Sequence, residues 1–248
     1  MRKVLIVVES DGREMTDSPI IRRIVSAIEM AIAEDATQAT SVQVVSVNDL
    51  TSKDEGVGLK SWDPHTCSQS QEIIYCPLTL CVPENLVLPF EGVIKACRDV
   101  PGLRQQLAQH IQVAAGDGCY WLPVVLTVKG PLYGEVITLA EEFNSKKLPD
   151  NLLLCDLTYD QPLHLSDALR QKLYEMAHDL LQFLSAPPAT YLVQFGLEKS
   201  EICFDRLWPF PTAPALASIG VQRPDLFTCH WYCLTAKPIL DLTIIPVA

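Results

Sequence analysis

Three stretches of this chain carry residues whose types and spacing could do chemistry. Lys129 follows the run Leu122-Pro123-Val124-Val125-Leu126-Thr127-Val128 and precedes Gly130-Pro131. A lysine at a strand end beside a flexible turn can reach a phosphate as a point charge. Asp205 and Arg206 are neighbours in Glu201-Ile202-Cys203-Phe204-Asp205-Arg206-Leu207-Trp208. A carboxylate suits a hard cation, and a guanidinium suits a phosphate or another anionic group. Glu9, Ser10, Asp11 and Arg13 follow the apolar run Val4–Val8. The loop leaving the carboxyl end of a parallel strand is where open α/β sheets take ligands. An ordinary polar surface loop accounts for the same letters.

Several familiar chemistries lack their signatures. The loop after the first apolar run holds one glycine, Gly12, so no dinucleotide fingerprint follows it. There is no GxxxxGK[ST] and no GxSxG. The five histidines are dispersed, and none sits in a metalloprotease spacing. The nine cysteines run from Cys67 to Cys233 and read as buried free thiols of a reducing compartment. Cys229-His230-x-x-Cys233 and the Cys76/Cys81 pair lack the repeated CxxC knuckle of a zinc ribbon. Their apolar and aromatic neighbours favour core packing.

Composition sets the outer bounds. The 248 residues are 48 % hydrophobic and 20 % charged, enough for a substantial core. Nineteen lysines and arginines against 30 acids give a formal charge of −11. With no basic run, sequence-independent binding to a nucleic-acid backbone is disfavoured. No apolar run reaches the roughly 18 residues a membrane helix needs. Val4–Val8 is too short for a secretory signal and reads as a buried first strand. These features lead us to expect a cytoplasmic protein with neither membrane nor nucleic-acid partners.

The elements that must position the candidate residues follow from periodicity. Val4–Val8 is an all-apolar strand, and Asp17 or Ser18 caps a helix that has Pro19 in its first turn and runs to about Glu34. Val42–Val47 completes a right-handed βαβ unit, and Ile73–Leu80 predicts a further strand. Leu86–Val100 and Leu103–Val113 read as helices split by Pro101-Gly102. Ala114–Gly118 is small and flexible and marks a boundary. Beyond it, Leu122–Lys129 and Gly134–Leu139 predict a hairpin around Gly130–Tyr133, and Leu152–Leu157 another strand. Ser166 caps a long amphipathic helix to about Leu184. Tyr191–Phe195 and Ile202–Phe204 predict a second hairpin, and Ile239–Val247 a last strand. The expected fold class is α/β. A Rossmann-like βαβ lobe, residues 1–116, packs on an α+β lobe, residues 117–248, with antiparallel hairpins and one long helix. A cleft between two such lobes is the default place for a small ligand.

The order of elements in the second half resembles the ATP-grasp ligases, over about Leu122–Gly134 and Leu165–Leu216. That family carries a lysine near a strand end beside a glycine-containing phosphate loop, and a closing hairpin with magnesium-binding acids. The resemblance implies ATP and magnesium as cofactors. It places Lys129, Gly130, Gly134 and Gln194 at the nucleotide, with Asp205 toward the metal. Lys129, Asp205 and Arg206 are then the catalytic candidates, Arg206 steadying negative charge in the transition state. This chain departs from the pattern at two points: Gln194 stands where the family has an acid, and Leu207 where it has an asparagine. Beside a ligand-binding α/β protein that uses the Glu9–Arg13 loop, two functions stay open. One is an ATP-dependent carboxylate ligase acting on a small molecule. The other is a non-catalytic regulatory or interaction protein on the same scaffold, with Trp208–Pro214 and Phe227–Trp231 as a partner surface.

Overall fold

A computed structural model of the chain describes residues 2–9, 18–35, 40–51, 72–83, 88, 90–140, 157–199 and 201–246. The run Val4–Val8 is the heart of the first sheet. Strand β1 (Arg2–Val8) lies between β2 (Thr40–Ser46) and β3 (Glu72–Pro77), parallel to both. A strand flanked on both sides and covered on both faces must be apolar at every position. Its alternation assigns each residue to a face: Val4, Ile6 and Val8 join the core beneath α1 (Pro19–Glu34), while Leu5 and Val7 pack with Val45. A short helix, α2 (Val47–Thr51), follows β2.

The second sheet has the order β4-β10-β9-β5-β7-β8. These strands are β4 (Ala114–Ala115), β5 (Tyr120–Thr127), β7 (Val136–Leu139), β8 (Tyr159–Leu163), β9 (Ala189–Glu198) and β10 (Glu201–Trp208). Strand β6 (Gly130–Tyr133) pairs with the far half of β5. One face is covered by α3 (Glu91–Arg98), α4 (Val100–His110) and α5 (Asp167–Phe183). The other is covered by α1 and by α6 (Leu226–Leu234). Along β9, Tyr191, Val193 and Phe195 face α5, and Leu192 faces the opposite core. A short pair of β11 (Gln222–Arg223) and β12 (Thr243–Ile244) closes the chain.

Helix α1 is thus shared between the sheets, and its C-terminus is tied to α6. The buried carboxylate of Asp35 accepts from Trp231 Nε1 at 3.0 Å and pairs with Lys237 Nζ. Residues on both sides of the 116/117 boundary contribute to the two main cores.

The α/β architecture, the βαβ lobe and the Ser166-capped helix stand as the sequence predicts. Other elements differ for physical reasons. Pro101-Gly102 does not separate two helices; it lies in the first turn of α4, where the missing proline N–H costs nothing. Asp99 makes the break and accepts from Gly102 N at 3.0 Å. Gly130–Tyr133 is a strand rather than a loop, because the chain already reverses at Val128-Lys129. Among the described residues of the expected last strand, only Thr243–Ile244 is a strand. Residues 52–71 and the Leu152–Asp156 part of the expected third strand lie outside the described residues. No described helix is long and apolar enough to cross a membrane.

Helix α6 buries His230 completely. Thr190 N–H donates to its Nδ1 at 3.3 Å, and Nε2 has no partner among the described residues. Burial lowers its pKa from 6.5 to about 3. The unfolded chain therefore binds a proton below pH 6.5 that the folded chain refuses. Stability present above that pH is lost as it falls toward about 3, by about 1.4 kcal/mol per pH unit from this residue. Urea unfolding at about pH 7 and about pH 5 checks this. His230→Gln loses that slope; equal slopes in variant and wild type contradict it.

Candidate functional site

The Asp205 carboxylate accepts four hydrogen bonds from described residues, and a bulge explains its position. Phe204 pairs with Phe195 on β9, yet Arg206 pairs with Gln194, so Asp205 is the extra residue on β10. A bulge frees a backbone group from the ladder and re-aims the side chains around it. The freed Asp205 carbonyl accepts from Arg104 Nε at 2.8 Å. The carboxylate, 3 % exposed, turns into the protein.

Four donors surround that carboxylate. Oδ1 accepts from Arg104 Nη2 at 2.6 Å and from Arg206 Nε at 3.1 Å. Oδ2 accepts from Gly118 N at 2.9 Å and from Gln194 Nε2 at 3.0 Å. The amide of Gln194 also donates to Gly118 O at 2.6 Å and accepts from Trp208 Nε1 at 3.2 Å. Arg104 reaches Asp117 as well, at 2.9 Å. The Asp117 bond, then the Asp205 bond, raises the Arg104 pKa against a burial cost, so the guanidinium stays charged. The turn at Gly116–Gly118, which looked flexible in sequence, is packed tightly. A Cβ on Gly118 would lie 2.0 Å from the Phe195 backbone, which only glycine avoids.

A cleft of about 440 Å³ opens beside this network. It lies at the carboxyl end of the parallel sheet, where Val8-Glu9 leaves β1 and Leu78–Cys81 leaves β3. Arg206, Trp208 and Phe210 form the wall from β10 and the segment after it, and Arg98 enters from the last turn of α3. Thr79 Oγ1 donates to Glu9 Oε2 at 3.4 Å and accepts from Cys81 N at 3.0 Å. Two thiols line the cleft. Burial pushes Cys97 up to about 12, and burial together with Glu9 pushes Cys81 up. Both therefore stay protonated rather than acting as thiolate nucleophiles.

The sequence candidates fall into two places. Gln194, Asp205 and Arg206 come together in the network above. Lys129, Gly130 and Gly134 do not join them. Lys129 is exposed at the β5–β6 turn, where its N–H donates to Thr127 Oγ1 at 3.1 Å. It lines a small hollow with Thr127, Pro188 and Lys237. Gly130 lines a separate groove with His178 and Gln182. Gly134 N–H donates to Pro123 O at 2.9 Å. The register of the sheet fixes the separation. Trp121 pairs with Gln194, which pairs with Arg206, while the turn lies beyond Thr127. At about 3.3 Å per residue, Trp121 to Thr127 alone spans roughly 20 Å. Of the Glu9–Arg13 loop, Glu9 lines the cleft, and residues 10–13 lie outside the described residues. Sequence reading missed Arg104 and Gly118. No local pattern links them to Asp205, although the glycines of Gly116-Asp117-Gly118 signal close backbone approach as well as flexibility.

The site does not suit a divalent cation at Asp205. Both of its oxygens already carry hydrogen bonds, and two of the donors are cations. At an effective dielectric of about 20, a divalent ion in contact with one carboxylate gains roughly 13 kcal/mol. The two guanidinium groups bonded to the same carboxylate repel such an ion and oppose that gain, with the dehydration of the ion still to be met. Among the described residues, no group of three or more acids, histidines or cysteines converges on a point.

Solved structures share this fold. One is a glycinamide-RNase-transformylase T from Mycobacterium tuberculosis, 14 % identical, with TM-score 0.65, covering 98 % of this chain and 82 % of its own. A second is an N5-carboxyaminoimidazole ribonucleotide synthetase from Thermotoga maritima, 9 % identical, with TM-score 0.63, covering 97 % and 77 %. A third is an L-amino acid ligase from Bacillus licheniformis, 8 % identical, with TM-score 0.60, covering 94 % and 74 %. These are ATP-grasp ligases, and this chain has a divergent ATP-grasp-like α/β fold. No protein-family model and no curated protein matches the sequence.

The network makes a stability prediction. Arg104→Met leaves the Asp205 carboxylate short of its strongest donor and costs about 2–4 kcal/mol in urea unfolding. Adding Asp205→Asn recovers part of that loss, since the neutral amide needs no counter-charge. Additive losses in the double variant contradict a direct pairing.

Proposed function

We propose that this chain is a non-catalytic, regulatory binding protein on an ATP-grasp-type scaffold, and that its ligand is a small anionic molecule held in the cleft beside Arg206. The observation that carries this reading is the Asp205 carboxylate, filled by four donors of which two are arginines. A group so engaged holds the fold rather than a catalytic ion. Among the described residues, the cleft beside it offers two guanidinium groups, of Arg98 and Arg206, against the carboxylate of Glu9, on a chain of net charge −11. Its remaining walls are largely apolar, from Ile21, Ile24, Leu78, Trp208 and Phe210. Small-molecule sites are built this way, with few polar groups on an apolar surface. We place the protein in the cytoplasm, where the seven described free thiols stay reduced.

A second reading, an ATP-dependent carboxylate ligase, draws on the fold neighbours, one of which, from Aspergillus clavatus, is a synthase complexed with ATP. In that reading Lys129, Gly130, Gly134 and Gln194 hold the nucleotide, Asp205 contributes to a magnesium ion and Arg206 steadies transition-state charge. The arrangement then needs Asp205 released from its arginines and the β5–β6 turn brought across the sheet.

Steady-state ADP release separates the two. The purified chain is given magnesium and ATP with a mixture of carboxylic acids and amines. The binding reading predicts no ADP above the protein-free blank. Sustained release that Asp205→Asn or Lys129→Ala abolishes overturns it in favour of the ligase.

A further inference from the structure

We propose that Arg206 and Arg98 hold the anionic oxygens of the ligand directly, so that this cleft binds anions without a divalent cation. The inference rests on the reading of the cleft as the ligand site, and it adds the chemistry of recognition. Arg206 is oriented from two sides. Its Nε is fixed by Asp205 Oδ1 at 3.1 Å, and its guanidinium carbon lies 5.8 Å from the centre of the Trp208 ring. The two terminal nitrogens have no hydrogen-bond partner among the described residues, and Arg206 lines the cleft. A planar guanidinium whose Nε side is anchored keeps its terminal edge for a carboxylate or phosphate. Arg98 enters the same cleft and has no ion-pair partner among the described residues.

Asp205 therefore has a positioning role. It aims Arg206, and Arg104 supplies the second positive charge that keeps the carboxylate satisfied. Positive charge reaches the ligand from the protein itself. Glu9, held by Thr79 at 3.4 Å, is the one acid lining the cleft among the described residues, and Cys81 and Cys97 stay neutral beside it. The class of ligand is a small molecule with a phosphate or carboxylate head and an apolar body that meets Ile21, Ile24 and Phe210.

Calorimetric titration of the full chain tests this, with inorganic pyrophosphate and succinate as separate probes for the two kinds of head group. Each is titrated in buffer with EDTA and again with magnesium. At least one probe binds in EDTA, and magnesium does not tighten it. Arg206→Gln weakens that binding by about tenfold or more. Arg98→Gln, at a residue that makes no hydrogen bond to Asp205, also weakens it and repeats the test without removing a bond of the network. Lys172→Gln, an exposed charge on α5, leaves it unchanged. The proposal is overturned if neither probe binds in EDTA, if binding appears only when magnesium is added, or if both arginine variants bind as the wild type does. Magnesium-dependent binding without ADP release would sink this inference and leave the non-catalytic reading standing. ADP release would sink that reading, whatever the titrations give.

Discussion

A carboxylate taken out of water needs its full set of donors, and Asp205 draws its set from four parts of the chain. Arg104 comes from α4, Gly118 from the turn before β5, Gln194 from β9 and Arg206 from β10 itself. Two of these contacts span 101 and 87 residues. Each is stronger than a neutral hydrogen bond because the acceptor is charged. Together they fix the open end of the sheet against the helical layer. They also fix the wall of the cleft, since Arg206 and Trp208 take their orientations from Asp205 and Gln194. The β-bulge makes the arrangement possible. Without the extra residue, Asp205 would share a ladder position instead of leaving its carbonyl to Arg104.

Local signals made much of the fold legible. Val4–Val8 is a buried strand because five consecutive apolar residues need cover on both faces. The cap at Ser166 and the apolar stripe after it mark α5. Helix α6 gave no such stripe: all its residues from Leu226 to Trp231 are buried, so hydrophobicity has no period to read. Pro101-Gly102 misled because proline both ends one helix and begins another, and only the Asp99 cap decides which. Residues 194, 205 and 206 stand out in sequence, but not Arg104 and Gly118, which complete the set of donors around Asp205. The Asp205–Arg104 pairing depends on sheet register and on a bulge, which a one-residue change in spacing would erase.

A shared scaffold does not by itself carry a shared site. The ATP-grasp structures that share this fold do so at 14 % identity and below, a level at which backbone layers persist while side-chain chemistry is free to change. Here the residue that could serve a cation faces two arginines, and the lysine that could serve a phosphate sits roughly 20 Å along the sheet. The chemistry left in the cleft is that of guanidinium groups, a glutamate and an aromatic wall.

Whether Asp205 is internal to the fold or open to an ion is read most directly at Gly118, whose N–H donates to Oδ2. Manganese added to isotope-labelled protein broadens amide signals close to any bound ion. With the carboxylate committed to its four donors, the Gly118 signal keeps its intensity across the titration, as do the Gln194 side-chain amide signals. Selective loss of those signals at low manganese would put a cation on Asp205 and contradict the account at its root.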